Sequence, residues 1–234
     1  MLKPAEAKFI KIDLKSDEER IGYIMGAGDE VPASLSQMGY KVTLLKPEEI
    51  TAGRLENLDV VMTGIRAYNT VKELENKQSI LFDFIKKGKK MIVQYNNPND
   101  LVTKNLAPFT LKISGDRVTD ENADVRFLAP NHPILNFPNK ITAKDFEGWK
   151  QEQGLYYPNE FDKAFTPILS SNDKGETPKN GALLVAPYGN GYYIYTGLSF
   201  FRELPEGVSG AFRLLSNMIS LKGPVKIPVQ SIKP

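Results

Sequence analysis

Short apolar runs alternate with helix-like spacing over the first hundred residues. The apolar runs predict four β-strands, at residues 21–25, 41–45, 59–63 and 90–94. Between the first two runs, Val31, Leu35 and Met38 recur at intervals of four and three, and this spacing predicts a helix that Gly39 ends. Short apolar strands that alternate with helices are typical of a parallel sheet covered on both faces.

Two further helices are predicted in this half. A weak amphipathic pattern covers residues 48–58. Thr70 and Glu73 have the spacing of a capping box, in which the hydroxyl and the carboxylate each satisfy a free backbone N–H. A helix that starts there would bury Leu74 and Leu81 and stop at Gly88.

The pattern changes after about residue 100, where proline, asparagine and aspartate become frequent. Six short strands are predicted, at residues 111–113, 125–127, 155–157, 167–169, 182–186 and 192–196. The last two flank a hairpin turn at 188–191, where Asn190-Gly191 accepts a positive φ. A final helix places Val208, Phe212 and Ile219 on one face, so we expect it to pack on the sheet.

No linker-like composition divides the chain, so we interpret residues 1–234 as one domain. The fold class is α/β, with an open, mostly parallel sheet flanked by helices and a β-rich insertion in the second half. Its predicted parts are an N-terminal extension, a βαβ core, an irregular β insertion, a hairpin with the last helix, and an extended tail, at residues 1–20, 21–100, 101–180, 181–221 and 222–234.

Composition removes several kinds of chemistry. The 234 residues include no cysteine and one histidine, which excludes thiolate nucleophiles, iron–sulfur clusters and a Cys/His zinc site. A formal charge of +2 gives no field that would attract nucleic acid. No run approaches the length of a membrane span, and the charged N-terminus lacks the core of an export signal. We therefore expect a soluble chain with no cofactor and no metal.

Polar and aromatic residues follow the predicted strands where a ligand would bind. In an open parallel sheet, ligands occupy the crevice beyond the carboxyl ends of the strands, where the strand order reverses. With the order 2-1-3-4, that crevice lies between the first and third strands. Its predicted lining is Asp29, Glu30, Arg66, Tyr68, Asn69, Tyr95, Asn96 and Asn97. The alternative is that these residues cap helices and pair with one another.

Other clusters have a structural interpretation beside a chemical one. Gly26-Ala27-Gly28 follows a strand and opens a helix, as in an anion site, but Val31 stands where a dinucleotide fingerprint needs glycine. His132 lies between Asn131 and Pro133 and is interpreted as structural. The lysines of residues 86–90 lie at a helix C-terminus, where they stabilise the helix dipole.

Acidic residues of the insertion form the remaining candidates. The run at 116–121 could hold calcium or a substrate hydroxyl, although it lacks the ligand pattern of an EF-hand. The alternative is a solvated turn with internal ion pairs. Asp145 and Glu147 lie beside Trp149, the only tryptophan, which could stack on a sugar ring or pack in the core. Two carboxylates only two residues apart are poorly placed for glycosidase chemistry.

Residues 21–29, 59–69, 91–97 and 188–198 carry a resemblance to the class I glutamine amidotransferase-like fold, a flavodoxin-like fold that also includes ThuA-like proteins and the trimerisation domain of some β-galactosidases. The hairpin at 188–196 is similar to a Tyr-Gly-x-Gly strand of ThuA-like sequences. The chain as a whole resembles the C-terminal region of long bacterial PIG-L (LmbE-like) deacetylases, through residues 23–32, 117–122, 145–149 and 196–205.

The chain departs from both families at their catalytic positions. Where amidotransferases carry a cysteine after a central strand, residues 94–98 read Gln-Tyr-Asn-Asn-Pro, and no serine stands there to replace it. The PIG-L zinc motif is His-Pro-Asp-Asp-Glu, whereas His132 is followed by Pro-Ile-Leu. No catalytic residue can be carried over.

The resemblance implies an accessory domain of a zinc-dependent N-acetyl sugar deacetylase, exported by analogy with such parents. We expect it to bind carbohydrate, dock on the deacetylase domain or self-associate. The alternative is a hydrolase that uses crevice carboxylates on a glycan. The binding candidates outside the crevice list are Arg117, Asp120, Glu121, Trp149, Arg202 and Glu203.

Overall fold

The computed structural model describes residues 10–223. It contains eleven strands within those residues: β1 (Arg20–Ile24), β2 (Lys41–Leu44), β3 (Val60–Thr63), β4 (Lys90–Gln94), β5 (Leu111–Val118), β6 (Arg126–Phe127), β7 (Gly154–Phe161), β8 (Thr166–Pro167), β9 (Leu169–Ser170), β10 (Leu183–Tyr188) and β11 (Gly191–Thr196). The α-helices of the same range are α1 (Val31–Gln37), α2 (Ala52–Glu56), α3 (Ala67–Thr70), α4 (Gln78–Lys86), α5 (Phe200–Glu203) and α6 (Ser209–Ile219).

Seven strands form the central sheet in the order β2-β1-β3-β4-β11-β10-β8. The pairs from β2 to β11 are parallel, whereas β10 is antiparallel to both of its neighbours. The order 2-1-3-4, on which the crevice prediction depends, is therefore present, and the strand order reverses between β1 and β3. The chain has the α/β fold that the alternating pattern predicts, with a mostly parallel sheet flanked by helices.

The sheet separates two hydrophobic cores. In β3, Val60 and Met62 point into one core while Val61 points into the other, and in β4 Ile92 opposes Met91. All of these strand-core positions in β3 and β4 have no accessible surface, as expected for strands buried on both faces. The predicted face of α6 packs into the first core, through Phe212, Leu215 and Ile219.

Glycine predicted the C-terminal ends of helices correctly, whereas the capping motif did not predict a helix start. Gly39 and Gly88 follow α1 and α4 with φ of 94° and 95°, which is the C-terminal glycine conformation. The predicted capping box at Thr70 is wrong. Thr70 ends the short helix α3 and donates its hydroxyl to the Arg66 carbonyl, 3.1 Å away, and α4 starts only at Gln78. The predicted helix over 48–58 shortens to a 3₁₀ turn (Pro47–Glu49) and α2.

The predicted hairpin joins β10 to β11 through the two residues Gly189 and Asn190. Gly189, rather than Asn190, has the positive φ, 63°, which is the pattern of a type II′ turn. The segment predicted as one strand over 167–169 splits between β8, which joins the central sheet, and β9, which pairs with β6. Two register shifts near Asp116 interrupt the β5–β7 pair, which packs beside the carboxyl ends of the central strands.

The described N-terminal segment before β1 packs against the rest of the chain. Lys15, in the predicted N-terminal extension, donates its amide N–H to Asn139 at 2.9 Å and accepts from the Ser216 hydroxyl at 2.7 Å. The extended tail predicted at residues 222–234 lies outside the described residues from position 224 onward. Within residues 10–223, no helix is both long and apolar enough to cross a membrane.

Candidate ligand crevice

The loops that follow β1, β3, β4 and β11 meet at one edge of the sheet, the carboxyl edge. The β1 loop lies against the β3 loop so closely that a Cβ on Gly26 would be 2.1 Å from the Ile65 carbonyl oxygen. Ala27 donates its N–H to that same oxygen at 2.9 Å, and Gly28 has a φ of 100°. Close approach and a left-handed turn therefore account for both glycines without a phosphate ligand.

Asp29 holds this edge together through internal hydrogen bonds. Its carboxylate accepts from the Tyr23 hydroxyl at 2.7 Å, from the Val31 N–H at 3.0 Å and from the Ile65 N–H at 3.2 Å. Gln94 in turn donates to the Tyr23 hydroxyl at 2.8 Å. The carboxylate that sequence placed in the crevice is thus a structural bridge between the β1 and β3 loops, while its neighbour Glu30 is exposed.

Three aromatic rings form the floor of the crevice. The ring of Tyr95, which follows β4, lies 5.8 Å from that of Tyr156 and 5.3 Å from that of Phe201, centroid to centroid. Tyr95 is 6% exposed, and its hydroxyl forms no hydrogen bond within residues 10–223. The three rings come from the β4 loop, β7 and α5, so the crevice is built jointly by the core and the insertion. We call Arg66, Tyr95, Asn97, Tyr156, Phe201 and Arg202 the crevice residues.

Asparagine side chains fix the loop after β4. Asn69 accepts from the Asn97 N–H at 2.9 Å and donates to the Asn97 and Asn99 carbonyls at 3.0 and 2.9 Å. The Asn97 amide then donates to the Tyr156 hydroxyl at 3.3 Å. Asn69 therefore positions Asn97, and Asn97 alone of the two contacts the crevice floor.

Left-handed backbone conformations concentrate around these rings. Arg66, Gln151 and Tyr156 have φ of 56°, 68° and 54°, and they are three of the four non-glycine residues with positive φ in the described range. Each such residue costs of order 1 kcal/mol, and such strain clusters at functional sites. The fourth, Asp100, lies in the same loop that carries Tyr95 and Asn97.

A β-bulge explains the position of Tyr156. Across β5, Leu155 pairs with Arg117 and Tyr157 pairs with Asp116, so Tyr156 has no partner. The Tyr195 hydroxyl donates to the Tyr156 carbonyl at 3.0 Å and holds the bulge against the central sheet. Bulges of this kind re-aim a side chain, and here the ring turns toward Tyr95.

The charges of the crevice are incompletely paired. Arg202 lies 3.3 Å from Glu152 and also bonds the Gln151 side chain, whereas its Nε is buried without a partner in the described part of the chain. Glu152, which is 4% exposed, also accepts from Arg117 at 2.5 Å. The guanidinium of Arg66 is exposed and forms no ion pair or hydrogen bond with any residue between 10 and 223.

The electrostatics of Tyr95 place both arginines near its hydroxyl. Burial raises the pKa of Tyr95, and the positive charges of Arg66 and Arg202 oppose that shift. Positive charge of this kind favours the ionised form of a nearby acid. Because its pKa is raised, Tyr95 remains neutral near pH 7.

Four predicted site residues lie in the core instead. Tyr68, Asn96, Trp149 and Glu203 are at most 1% exposed, so none of them lines the crevice. Trp149 stacks on Phe146 at 5.6 Å and donates its indole N–H to the Asp145 carbonyl, which rules out a sugar platform in this conformation. Asn96 accepts from the Tyr68 N–H and donates to the Gln94 carbonyl, which fixes the turn after β4.

Glu203 is a buried acid without a cationic hydrogen-bond partner among the described side chains. Its carboxyl group accepts from the Lys150 N–H at 2.9 Å and contacts the Ser199 hydroxyl at 3.1 Å. Burial raises the pKa of Glu203 to about 7. The group ties α5, which carries Phe201 and Arg202, to the segment before β7.

The acidic run of the insertion lies beside the crevice rather than in it. Glu121 accepts from the Gln151 N–H at 2.8 Å, and Asp120 accepts from the Asn122 N–H at 2.9 Å. Asp173 receives the N–H groups of Thr119 and Asp120. Glu121 borders a hollow of about 470 Å³ that adjoins the crevice and is lined by Glu121, Lys150, Gln151, Phe201, Arg202, Pro205 and Glu206.

Two other candidates have structural roles. His132 accepts from the Ile134 N–H through Nδ1 at 3.1 Å and caps a 3₁₀ turn, as interpreted from sequence, and burial lowers its pKa. Asp145 accepts from the Thr142 N–H at 2.8 Å and from Arg213 Nε at 2.7 Å. Within residues 10–223, no group of three acidic, histidine or cysteine side chains is placed to hold a metal.

Sequence reasoning missed Gln151, Glu152, Tyr156 and Phe201. The approach of Tyr156 to Tyr95 depends on a bulge whose register is not visible in a single strand. Phe201 lies beside the predicted Arg202, and its place after β11 was the one available signal, because β11 ends at the same edge as β4.

No family model and no curated protein matches this chain. Solved structures match it in fold. A cytoplasmic protein of Salmonella typhimurium is 11% identical, with 87% of this chain and 98% of that chain covered and a TM-score of 0.58. A candidate GMP synthase component of Thermoplasma acidophilum is 11% identical, with 87% and 95% covered and a TM-score of 0.52.

A β-galactosidase of Bacillus circulans sp. alkalophilus is also 11% identical. The match covers 88% of this chain but 31% of the enzyme, with a TM-score of 0.50. Identities this low show a shared fold alone. They confirm the predicted amidotransferase-like fold. The deacetylase context stays a prediction.

Proposed function

We propose that this chain is a non-catalytic binding module on an amidotransferase-like scaffold, and that the crevice residues bind carbohydrate. One observation carries the proposal. Three aromatic rings form a floor, and residues with strained backbone hold it. Among the residues that the structure describes, the Arg66 guanidinium and the Tyr95 hydroxyl beside this floor have no hydrogen-bond partner. Backbone strain is a cost for the folded protein alone, and a ligand would offset it, while the exposed guanidinium is a donor available to that ligand.

The chemistry of the crevice suits a sugar. An aromatic face packs against the C–H face of a pyranose ring, and planar polar groups at its rim bind hydroxyls. Tyr95 and Phe201 supply the apolar surface, while the Tyr95 hydroxyl and the Asn97 amide lie beside it. Apolar surface for contact and a few polar groups that fix the orientation of the ligand are typical of small-molecule sites.

The carboxyl groups near the crevice count against the alternative, a glycan hydrolase. Such an enzyme needs two carboxyls across an open cleft, one of them protonated. Asp29 is bonded by three donors, Glu152 is bridged by two arginines, and Glu203 is buried. The turn at 94–98 also carries no cysteine or serine.

The wider context forms a second part of the proposal. The stretches that resemble PIG-L deacetylases suggest that the module holds an N-acetylated glycan for an attached deacetylase domain outside the cytoplasm. Docking on that domain, or self-association, would use the same crevice surface. Co-purification with a PIG-L catalytic domain and light scattering of the chain alone separate these two uses.

A glycan array tests the binding proposal. We expect the wild-type chain to bind a subset of glycans, and Phe201→Ala to lose that binding because the ring floor is broken. Leu128→Ala is the matched control, since Leu128 is an exposed apolar side chain, 44% accessible, away from the crevice. A blank array with wild-type protein, or equal binding by Phe201→Ala, would contradict the proposal.

A further inference from the structure

We propose that the crevice selects acidic sugars, with a carboxylate or phosphate of the ligand seated between Arg66 and Arg202. This inference rests on the proposed function and names the ligand class of the same site. A neutral sugar would leave Arg66 as it is in the free protein, without an acceptor among the described residues. An anionic group would complete its charge-assisted hydrogen bonds.

The pairing of the arginines is the first argument. The chain has seven arginines, and six of them have guanidinium partners within residues 10–223: Arg20, Arg54, Arg117, Arg126, Arg202 and Arg213. Arg66 is the exception in that range, although the chain has 28 acidic residues. This guanidinium stands at the carboxyl edge, where the fold brings a ligand.

The backbone of Arg66 is the second argument. Its φ of 56° and ψ of 24° are left-handed, a conformation that costs arginine energy and costs glycine almost none. The Arg66 N–H donates to the Tyr95 carbonyl at 2.8 Å, so the strained residue is anchored to the aromatic floor. The left-handed conformation therefore fixes Arg66 next to Tyr95. An arginine that served only as a surface charge would not need this conformation.

The charge balance around the rings is the third argument. Arg117 and Arg202 share the single buried carboxylate of Glu152, and Glu121 is bonded by a backbone N–H. With Lys150 and Glu206, which both line the adjoining hollow, four cationic side chains therefore lie near three carboxylates, apart from the buried Glu203. Arg202 is itself only partly buried, so its charge is accessible from the crevice, although its Nε atom is buried.

The position of Arg202 joins charge recognition to ring stacking. Its guanidinium lies 4.8 Å above the Phe201 ring, and the Phe201 ring lies 5.3 Å from the Tyr95 ring. A sugar seated on these rings would bring its acidic substituent to Arg202 on one side and to Arg66 on the other. The hollow of about 470 Å³ beyond Phe201 has the size of a small-ligand site and would take the next sugar unit.

Calorimetry with three matched monosaccharides tests the inference: glucuronic acid, glucose 6-phosphate and glucose. We expect at least one acidic sugar to bind about tenfold or more tightly than glucose, because hydrogen bonds between charged groups are the strong ones. Arg66→Ala should lower the affinity for the acidic sugar to near that for glucose, and Arg66→Lys should keep part of it. Arg54→Ala, which removes a half-exposed arginine elsewhere, should change nothing.

Each outcome decides between the two proposals. Equal affinity for glucose and both acidic sugars would overturn the acidic preference and leave carbohydrate binding in place. Equal affinity for inorganic phosphate or acetate would indicate an anion site and would overturn the sugar. A preference for glucuronic acid over glucose 6-phosphate, or the reverse, supports the inference and identifies the anionic group. No binding by any of the three would overturn the inference, and the glycan array would then decide the proposed function.

Discussion

The two edges of the central sheet differ in how their charged side chains are paired. At the amino edge, Asp59 bonds Arg20 Nε at 2.9 Å and Lys89 Nζ at 3.0 Å, and Glu19 bonds Lys90 at 3.0 Å. At the carboxyl edge, Arg66 has no such partner among the described residues, and the Tyr95 hydroxyl has none either. The same strands thus end in satisfied pairs on one side and in unused donors on the other.

The difference separates stability from binding. Paired charges at the amino edge lower the free energy of the folded state and need nothing further. The left-handed residues at the carboxyl edge raise that free energy, and a ligand that binds there would offset the cost. Mutations at the two edges should therefore act on different measurements.

Breaking the amino edge should cause the largest loss of stability. Asp59→Ala removes the partner of Arg20 and Lys89, and we expect a loss of about 2 kcal/mol in the free energy of unfolding after allowance for solvent screening. Urea denaturation at pH 7 measures it. Asp83→Ala, the control, removes a carboxylate from an exposed pair with Lys86 and should cost far less, because solvent screens that pair.

The same aspartate predicts an acid limb. The hydrogen bonds from Arg20 hold the pKa of Asp59 well below its usual range. A lowered carboxyl pKa stabilises the fold above about pH 4, and that contribution is lost as the pH falls. The wild-type curve should therefore approach that of Asp59→Ala near pH 2, and a difference that stays constant from about pH 7 to pH 2 would contradict this account.

Glu203 should show the opposite pH dependence. Its raised pKa, about 7, means that the stabilisation is fully present below about pH 4.5 and is lost as the pH rises through 7. Glu203→Gln cannot ionise, so it should exceed wild type by about 3 kcal/mol at pH 8 and match it at pH 4.5. Glu30→Gln is the control at an exposed site, and it should follow wild type at both pH values.

Removing strain at the carboxyl edge should stabilise the chain. Arg66→Gly relieves the left-handed backbone, and we expect a gain of about 1 kcal/mol in the free energy of unfolding together with loss of ligand affinity. Arg66→Ala loses affinity without that gain. A destabilised Arg66→Gly variant would show that Arg66 serves the fold rather than a ligand.

Tyr95→Phe should have the smallest effect on stability. The hydroxyl has no hydrogen-bond partner within residues 10–223, so its removal should change the free energy of unfolding by less than about 0.5 kcal/mol. Ligand affinity should fall several-fold, because the ring stays and one donor is lost. Thermal unfolding and calorimetry on one sample separate the two effects.

The sequence predicted where the crevice lies better than it predicted which side chains form it. The positions of Arg66 and Tyr95 follow from apolar runs and strand order, which are local patterns. Tyr156 depends on a bulge between strands that are far apart in the chain, and Trp149 could not be assigned to core or surface from its neighbours. Thr70 misled because a capping motif is equally compatible with the end of a short helix.

The most direct test is a ¹H–¹⁵N correlation titration of the whole chain with glucuronic acid, because it observes both edges at once. The account predicts shift changes for residues 64–69, 95–97, 151–156 and 198–203, with the amides of Arg20, Asp59 and Lys89 unmoved. In Arg66→Ala, the carboxyl-edge changes should disappear at the same sugar concentration. Changes centred on the amino edge, or identical changes in wild type and Arg66→Ala, would contradict the account.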